Sequence, residues 1–194
     1  MSLHIKHFCV VGTKVKLDQF DNSWFKPGKG VLVRSIWFLI NQCFFNSYLF
    51  PFYSLKRILL RSFGAKVGVG VVVKPKVNIK YPWKLQIGEY TWIGEQVWID
   101  NLDEVEIGSH VCISQGAMIL SGNHNYKKAE FDLILKPINI GDGAWLGAKS
   151  IVTQGVLVGE EAVLGVQSVA SNELEARGIY RGNPAVKVGE RVIG

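Results

Sequence analysis

Aliphatic residues recur at every sixth position through much of this chain of 194 residues. The period holds from 87 to 99, from 107 to 119 and from 140 to 170, and eleven of the twelve anchors are Ile, Leu or Val. Because aliphatic residues fill roughly a fifth to a quarter of positions in an ordinary protein, chance does not produce this. The anchors are Ile87, Ile93, Ile99, Ile107, Ile113, Ile119, Ile140, Leu146, Val152, Val158, Leu164 and Ala170.

Two further columns share the period. Glycine follows seven of the anchors, and a small or β-branched residue stands four positions after nine of them, as at Thr91 and Ser150. The pattern indicates a three-sided coil in which each side is a short strand, the anchor points inward, and glycine gives freedom at the corner. Coils stacked about 4.8 Å apart bury a column of aliphatics. The predicted fold is therefore all-β, a parallel β-helix.

One long interruption breaks this helix. Residues 121–137 carry no repeat, and we expect them to form a loop that leaves one corner. Long loops inside compact repeat folds are usually functional. Tracing the period backwards to Val67 divides the chain into an N-terminal segment, 1–66, a β-helix with its loop, 67–172, and a C-terminal tail, 173–194.

The N-terminal segment is basic and rich in apolar residues. Residues 1–66 hold ten Lys or Arg against two Asp or Glu, whereas 67–194 hold twelve against fourteen. The excess favours an anionic partner, either a membrane surface or a phosphorylated substrate, over nucleic acid, for which no binding motif is present. The uncharged stretch 35–55 contains several polar residues, which disfavours a membrane span. We predict a partly helical segment that packs on the β-helix or caps it, or else lies at a membrane interface.

Cysteine usage and the N-terminal sequence favour the cytoplasm. Cys9, Cys43 and Cys112 are few and widely spaced, which is typical of reduced thiols. The first residues lack the long apolar stretch of a secretory signal. The predicted location is cytoplasmic, at the inner face of the membrane if the N-terminal segment contacts lipid.

Several motifs resemble those of one family. They are GDGAWLGAKSIVTQGVLVGEEAVLGVQSV at 141–169, RGNPAVKV at 181–188, LLRSFGAKVG at 59–68 and KYPWKLQIGEYTWIGE at 80–95. Over roughly residues 55–194 the chain resembles the hexapeptide-repeat acyltransferases, and within them the colanic-acid-type polysaccharide O-acetyltransferases, related to the maltose, galactoside and nodulation-factor enzymes. The resemblance implies a left-handed β-helix, a homotrimer with sites between subunits, and transfer from acetyl-CoA to a saccharide hydroxyl.

Histidine suits this reaction, because its pKa near neutrality lets it remove a hydroxyl proton. His4 and His7 lie near the N-terminus, His110 falls within a regular repeat and faces outward, and His124 lies in the loop. The resemblance implies that His124 is the catalytic base, which leaves Cys112 a structural residue.

Polar residues near this loop are candidates for binding the acceptor. The resemblance places acceptor-binding residues at the corner that holds Asn101 and Asp103, and Asn123 stands beside His124. Turn residues of this type are also favoured for backbone reasons alone, so both interpretations stay open.

For acetyl-CoA, the resemblance suggests that backbone groups of the later coils hold the pantetheine arm. The residues concerned are Gly147, Ala148, Gly165, Val166 and Ser171. Small residues let the arm approach, although they also keep the corners tight. The family's Arg after GNPA is Val186 here, so Lys187 and Arg191 are the candidates for binding the phosphates.

Other functions remain open from the sequence. An N-acetyltransferase of an amino sugar or nucleotide sugar and a drug-modifying acetyltransferase would share the fold, and a non-catalytic solenoid would need neither the loop nor the tail. A zinc hydratase of the γ-carbonic-anhydrase kind requires three histidine ligands, whereas only His110 and His124 lie beyond the terminal pair. No metal is therefore expected.

Overall fold

A computed structural model describes residues 14–194, so His4, His7 and Cys9 lie outside the described residues. Short strands form three sheets, one for each side of a β-helix, and the strands pair in parallel except in the hairpin at the end of the second sheet. The first sheet contains β1 (Lys66–Val67), β4 (Leu85–Ile87), β7 (Val105–Ile107), β12 (Ile138–Ile140) and β15 (Leu157–Val158). The second contains β2 (Val72–Val73), β5 (Trp92–Ile93), β8 (Cys112–Ile113), β13 (Trp145–Leu146), β16 (Val163–Leu164), β18 (Gly178–Gly182) and β19 (Ala185–Glu190). The third contains β3 (Asn78–Ile79), β6 (Trp98–Asp100), β9 (Met118–Leu120), β14 (Ile151–Val152) and β17 (Val169–Ala170).

A regular coil contains three steps of six residues, and the first two coils each have two additional residues. The chain advances 20 residues from Lys66 to its partner Gln86, 33 from Glu106 to Asn139, and 18 from Asn139 to Leu157. The long step contains the predicted loop, which leaves the corner between the third and first sheets. This loop folds as an antiparallel hairpin of β10 (Gly122–His124) and β11 (Leu133–Leu135).

The interior is the predicted column of aliphatics. All twelve anchors are buried, with no more than 3% of any of them exposed. Burial of apolar surface at about 25 cal/mol per Å² is the main favourable term in such a core. The parallel β-helix predicted from the repeat is confirmed.

The N-terminal segment packs against the first coil. It comprises a 3₁₀ turn (Leu17–Gln19), α1 (Val31–Ile40), a π-helical turn (Asn41–Phe45) and α2 (Tyr53–Ser62), and a third short turn, Pro82–Lys84, lies within the β-helix. Trp37 is buried and its Nε1 donates to the Ile79 carbonyl at 2.9 Å. Within residues 14–194, no helix has the length and apolar character needed to cross a bilayer.

Three cations of α2 bind carbonyls of the first coil, which has no coil beneath it to supply donors. Lys56 Nζ donates to the carbonyls of Val73 and Lys74 at 3.2 and 3.0 Å. Arg57 donates to the Val71 carbonyl and Arg61 to that of Val67. Because an open sheet edge presents unpaired backbone groups, these side chains close the end of the β-helix. Part of the basic charge of this segment therefore serves to hold the segment on the first coil.

Candidate active site

His124 lies at the end of β10, where the hairpin holds it against Phe131. Its Nδ1 is 2.9 Å from the Phe131 carbonyl oxygen, and the two rings stack with centroids 4.5 Å apart at 9°. The ring of Phe20 packs on it at 5.5 Å. Because a carbonyl only accepts hydrogen bonds, Nδ1 carries the proton in the neutral ring, and Nε2 keeps its lone pair. The imidazole is thus held in the tautomer of a base.

A cavity of about 610 Å³ adjoins this imidazole. Its walls include Phe20 and Phe25 from the N-terminal segment, Arg34 from α1, and Lys80 and Tyr81 from the corner between the third and first sheets. Aromatic rings present flat apolar faces, and the cations present hydrogen-bond donors. A cavity of this size and polarity is typical of a small-molecule site.

Sequence reasoning missed the part of this cavity formed by residues 16–27, here called the strap. The Lys16 amide donates to the Ala129 carbonyl of the hairpin, and Trp83 Nε1 donates to the Pro27 carbonyl at 2.6 Å. The strap lies outside the repeats and carries no motif. No signal in the sequence places it beside His124.

A second groove, of about 330 Å³, lies on the second sheet next to the corner that leads to the third. Gly147, Gly165 and Val166 line it together with Trp145 and Arg181. Small residues leave its floor open to a thin, extended ligand. Three of the residues expected to bind the pantetheine arm therefore share one surface.

The same fold and repeats occur in known acetyltransferases. A protein of Escherichia coli K12 named as a colanic acid biosynthesis acetyltransferase, WcaF, is 38% identical over 168 residues, which cover 87% of this chain and 92% of that protein. A hexapeptide-repeat acetyltransferase of Vibrio cholerae aligns with a TM-score of 0.74 and 23% identity, over 82% of this chain and 90% of that one. Its acetyl-coenzyme A complex aligns with a TM-score of 0.73 and 22% identity, over 82% and 87%. No protein-family model matches.

This chain belongs to the hexapeptide-repeat acetyltransferases. The relationship to WcaF shows the family, because the sequence identity extends over nearly the whole of both chains. The protein is therefore an acyltransferase on a left-handed parallel β-helix, and the alternative of a non-catalytic solenoid is excluded.

Of the residues expected to bind the acceptor in this acetyltransferase, Asn101 contacts the backbone of the corner. It is fully buried; its Oδ1 accepts from the Tyr81 amide at 3.0 Å, and its Nδ2 donates to the carbonyls of Tyr81 and Lys84 at 2.6 and 3.2 Å. Its polar atoms are used on the backbone, where they hold the corner. These contacts do not support the assignment of Asn101 to acceptor binding.

Within residues 14–194, one side-chain oxygen each of Asp103 and Asn123 forms a hydrogen bond. Asp103 Oδ1 accepts from the Glu104 amide at 2.9 Å, and Asp103 is not on the cavity wall. Asn123 Oδ1 accepts from the His124 amide at 2.8 Å, and the residue is exposed. These contacts hold turns, and neither residue adjoins the cavity beside His124.

Gly147 is required by the stacking of the coils. A Cβ at this position would lie 2.6 Å from the backbone nitrogen of Val166 in the next coil. Such a distance cannot be accommodated without moving the backbone. Of the remaining residues, Ala148 and Ser171 do not line the groove.

Lys187 forms ion pairs at 2.6 Å with both Glu175 and Glu190. Hydrogen bonds to these carboxylates, that to Glu175 first, raise its pKa, so its charge is already compensated. Arg191 donates to the carbonyls of Gly143 and Glu161. The expectation that Lys187 or Arg191 binds phosphate does not fit these contacts.

Arg181 is the cation that sequence reasoning missed in this region. It lines the groove, its side chain is exposed, and no carboxylate of residues 14–194 forms an ion pair with it. It stands at the start of the RGNPAVKV motif, which was the available signal.

The described residues hold no cluster of three His, Cys, Asp or Glu side chains with the geometry of a metal site. His110 lies in the turn between β7 and β8, exposed and stacked on Tyr90 with centroids 5.4 Å apart. Its outward orientation is as predicted.

Proposed function

We propose that this protein transfers the acetyl group of acetyl-CoA to a hydroxyl of a saccharide, with His124 as general base. The observation that carries the proposal is the hydrogen bond from Nδ1 to the Phe131 carbonyl, which leaves the Nε2 lone pair for the acceptor. The relationship to WcaF, named for colanic acid biosynthesis, supports a saccharide of an exopolysaccharide or capsule as the acceptor. The acetyl-CoA complex of the Vibrio cholerae protein supports the donor.

In this transfer the imidazole of His124 acts first as a base and then as an acid. Nε2 of His124 removes the hydroxyl proton while the hydroxyl oxygen bonds to the carbonyl carbon of the thioester. The carbon–sulfur bond then breaks, and the imidazolium gives the proton to the leaving sulfur. General acid–base catalysis of this kind contributes typically about 10²–10⁴-fold to the rate.

The topology supports a homotrimer with shared sites. His124 leaves the corner between the third and first sheets, whereas the groove with Gly165 and Arg181 lies on the second sheet. In a three-sided prism this corner is opposite that face. A donor in the groove of one protomer is therefore far from the protomer's own imidazole, and the hairpin of a neighbouring subunit would have to complete the site.

Peripheral contact with a membrane is a further part of the proposal. The outer face of α1 exposes Leu32, Phe38 and Leu39, with 73%, 60% and 62% of each residue accessible. Lys26 and Lys29 precede the helix and are exposed. An apolar helix face beside cations matches a surface that contains anionic lipid headgroups, because the chains take the apolar residues and the headgroups take the cations. A site at the inner face of the membrane would bring the enzyme to lipid-linked acceptors.

The test is a thiol-release assay with acetyl-CoA and a panel of acceptors. The panel contains free sugars, nucleotide sugars, lipid-linked oligosaccharides and amino sugars, so that O- and N-acetylation are separated by the product. We expect O-acetylation by the wild-type protein and a loss of about 10²–10⁴-fold in kcat for His124→Ala. His110→Ala, which removes the exposed imidazole, is the matched control and should keep normal turnover. Equal activity of the two variants would refute the assignment of His124.

A further inference from the structure

Arg34 presents an uncompensated cation to the cavity that adjoins His124. Arg34 lines that cavity, and in the described part of the chain its buried Nε has no hydrogen-bond partner. Within residues 14–194 no carboxylate pairs with it. Leaving a buried donor unpaired is unfavourable, and more so for a charged group. We therefore expect this donor, which lies beside the reactive imidazole, to bind a group of the ligand.

Cations of the neighbouring coil and of α2 already contact carboxylate or carbonyl groups of the protein. Lys80, on the wall of the same cavity, pairs with Asp100 at 2.8 Å. Lys84 donates to the Leu102 carbonyl at 2.6 Å, and the arginines of α2 bind the first coil. Arg34 therefore differs from these cations in that its buried Nε has no hydrogen-bond partner within residues 14–194.

The surrounding charge favours an anion at this position. From Asn22 to Gly88 the chain contains eleven Lys or Arg and no Asp or Glu across 67 residues. The net charge of this stretch is therefore positive, and the carboxylate of Asp100, which lines a neighbouring pocket together with Arg34, pairs with Lys80. A ligand with a negative group would be attracted to the cavity and held at Arg34.

We infer that the acceptor is an anionic saccharide, and that Arg34 binds its phosphoryl or carboxylate group while a hydroxyl faces Nε2 of His124. This inference rests on the proposed function and names its substrate class. A guanidinium binds either group through two parallel hydrogen bonds, which fixes orientation as well as affinity. The rings of Phe25 and Tyr81, with centroids 6.4 Å apart at 29°, offer an apolar wall for the sugar ring.

The experiment compares acceptors that differ only in charge. The wild-type protein and Arg34→Gln are given a glycosyl phosphate, the matching uronic acid and the matching neutral methyl glycoside, with acetyl-CoA saturating. Lys149→Gln is the control, since Lys149 is an exposed cation that does not line the cavity. Thermal unfolding of each variant checks that the fold is kept.

We expect the wild-type protein to prefer an anionic acceptor. Arg34→Gln should raise KM for that acceptor about 10- to 100-fold, the range for loss of a hydrogen-bonded charge pair, with little change in kcat or in KM for acetyl-CoA. Arg34→Gln should not change KM for the neutral glycoside, and Arg34→Lys should restore part of the affinity for the anionic acceptor. Comparison of the glycosyl phosphate with the uronic acid identifies which anion Arg34 binds.

Two results would overturn the inference while leaving the proposed function intact. One is a wild-type preference for the neutral glycoside. The other is an equal effect of Arg34→Gln on charged and neutral acceptors. In contrast, failure of the proposed function would appear as acetylation that survives His124→Ala, whatever the charge of the acceptor.

Discussion

Nδ1 of His124 and the carbonyl oxygen of Phe131 are 2.9 Å apart, and the two rings lie nearly parallel. The residues belong to opposite ends of the hairpin turn, so closing the hairpin sets both the tautomer and the plane of the imidazole. The backbone carbonyl fixes the proton, and the phenyl ring fixes the orientation.

Phe131→Ala separates these two effects, because it removes the ring and keeps the carbonyl. We expect kcat to fall about 10-fold, since the imidazole gains rotational freedom, while KM for acetyl-CoA stays unchanged. Tyr126→Ala, which removes an exposed ring from the same hairpin, should leave kcat as it is. Steady-state kinetics with saturating acceptor measures the difference. Equal kcat values for wild type and Phe131→Ala would show that the ring does not position His124.

Arg181 is expected to bind the phosphates of the donor. Arg181→Gln should raise KM for acetyl-CoA about 10-fold, because it removes a charge-assisted contact. Lys187→Gln should have a much smaller effect on KM, since that lysine is already paired with Glu175 and Glu190. The comparison requires only initial rates at varied acetyl-CoA.

S-acetyl-pantetheine provides the control for this prediction. It carries the same thioester and lacks the nucleotide phosphates, so Arg181→Gln should not change its KM. If the variant weakens acetyl-pantetheine as strongly as acetyl-CoA, Arg181 does not bind phosphate.

The β-helix could be predicted from the repeat because each anchor marks an inward-pointing position in its own coil. Few folds other than a three-sided coil bury aliphatic residues at a six-residue spacing. The interruption of that spacing predicted a loop, and only the structure shows that the loop is a hairpin. The assignments that the structure does not support concern side chains whose partners lie elsewhere in the chain. Asn101 reads as a polar corner residue, and only the folded corner shows that Tyr81 and Lys84 use its amide. The strap was missed for the same reason, since its position depends on contacts such as that from Trp83 to Pro27.

Lys56 predicts a pH dependence of stability. It is fully buried, and burial lowers its pKa to about 8 from the ordinary value of 10.5. Between these values the unfolded chain binds more protons than the native one, so the free energy of unfolding rises with pH from about 8 to 10.5. The gain is at most about 3 kcal/mol, and below pH 8 the penalty of burying the charge is fully present.

The difference between wild type and Lys56→Met isolates this contribution, because the methionine keeps the apolar stem without the charge. Urea unfolding at pH 7.5 and 10 should show the wild type gaining stability relative to the variant. Lys149→Met, at an exposed lysine, should follow the wild type. Parallel changes in wild type and Lys56→Met would mean that Lys56 titrates normally.

The exposed face of α1 predicts binding to anionic membranes. Vesicles that contain phosphatidylglycerol should bind the protein, whereas pure phosphatidylcholine vesicles should bind it weakly, and added salt should reduce binding. Phe38→Ser with Leu39→Ser should lower the partition coefficient about 10-fold or more, because each large apolar side chain contributes about 1.5–3 kcal/mol when fully buried. Co-sedimentation with vesicles of the two compositions measures this.

Val192→Ser is the matched control, since Val192 is 89% exposed and lies at the other end of the chain. It should bind the vesicles as the wild type does. A different occupant of the α1 face would be revealed by analytical ultracentrifugation without lipid. If the double variant forms a smaller assembly than the wild type and both bind vesicles equally, a second copy of the chain covers this face and the membrane proposal is wrong.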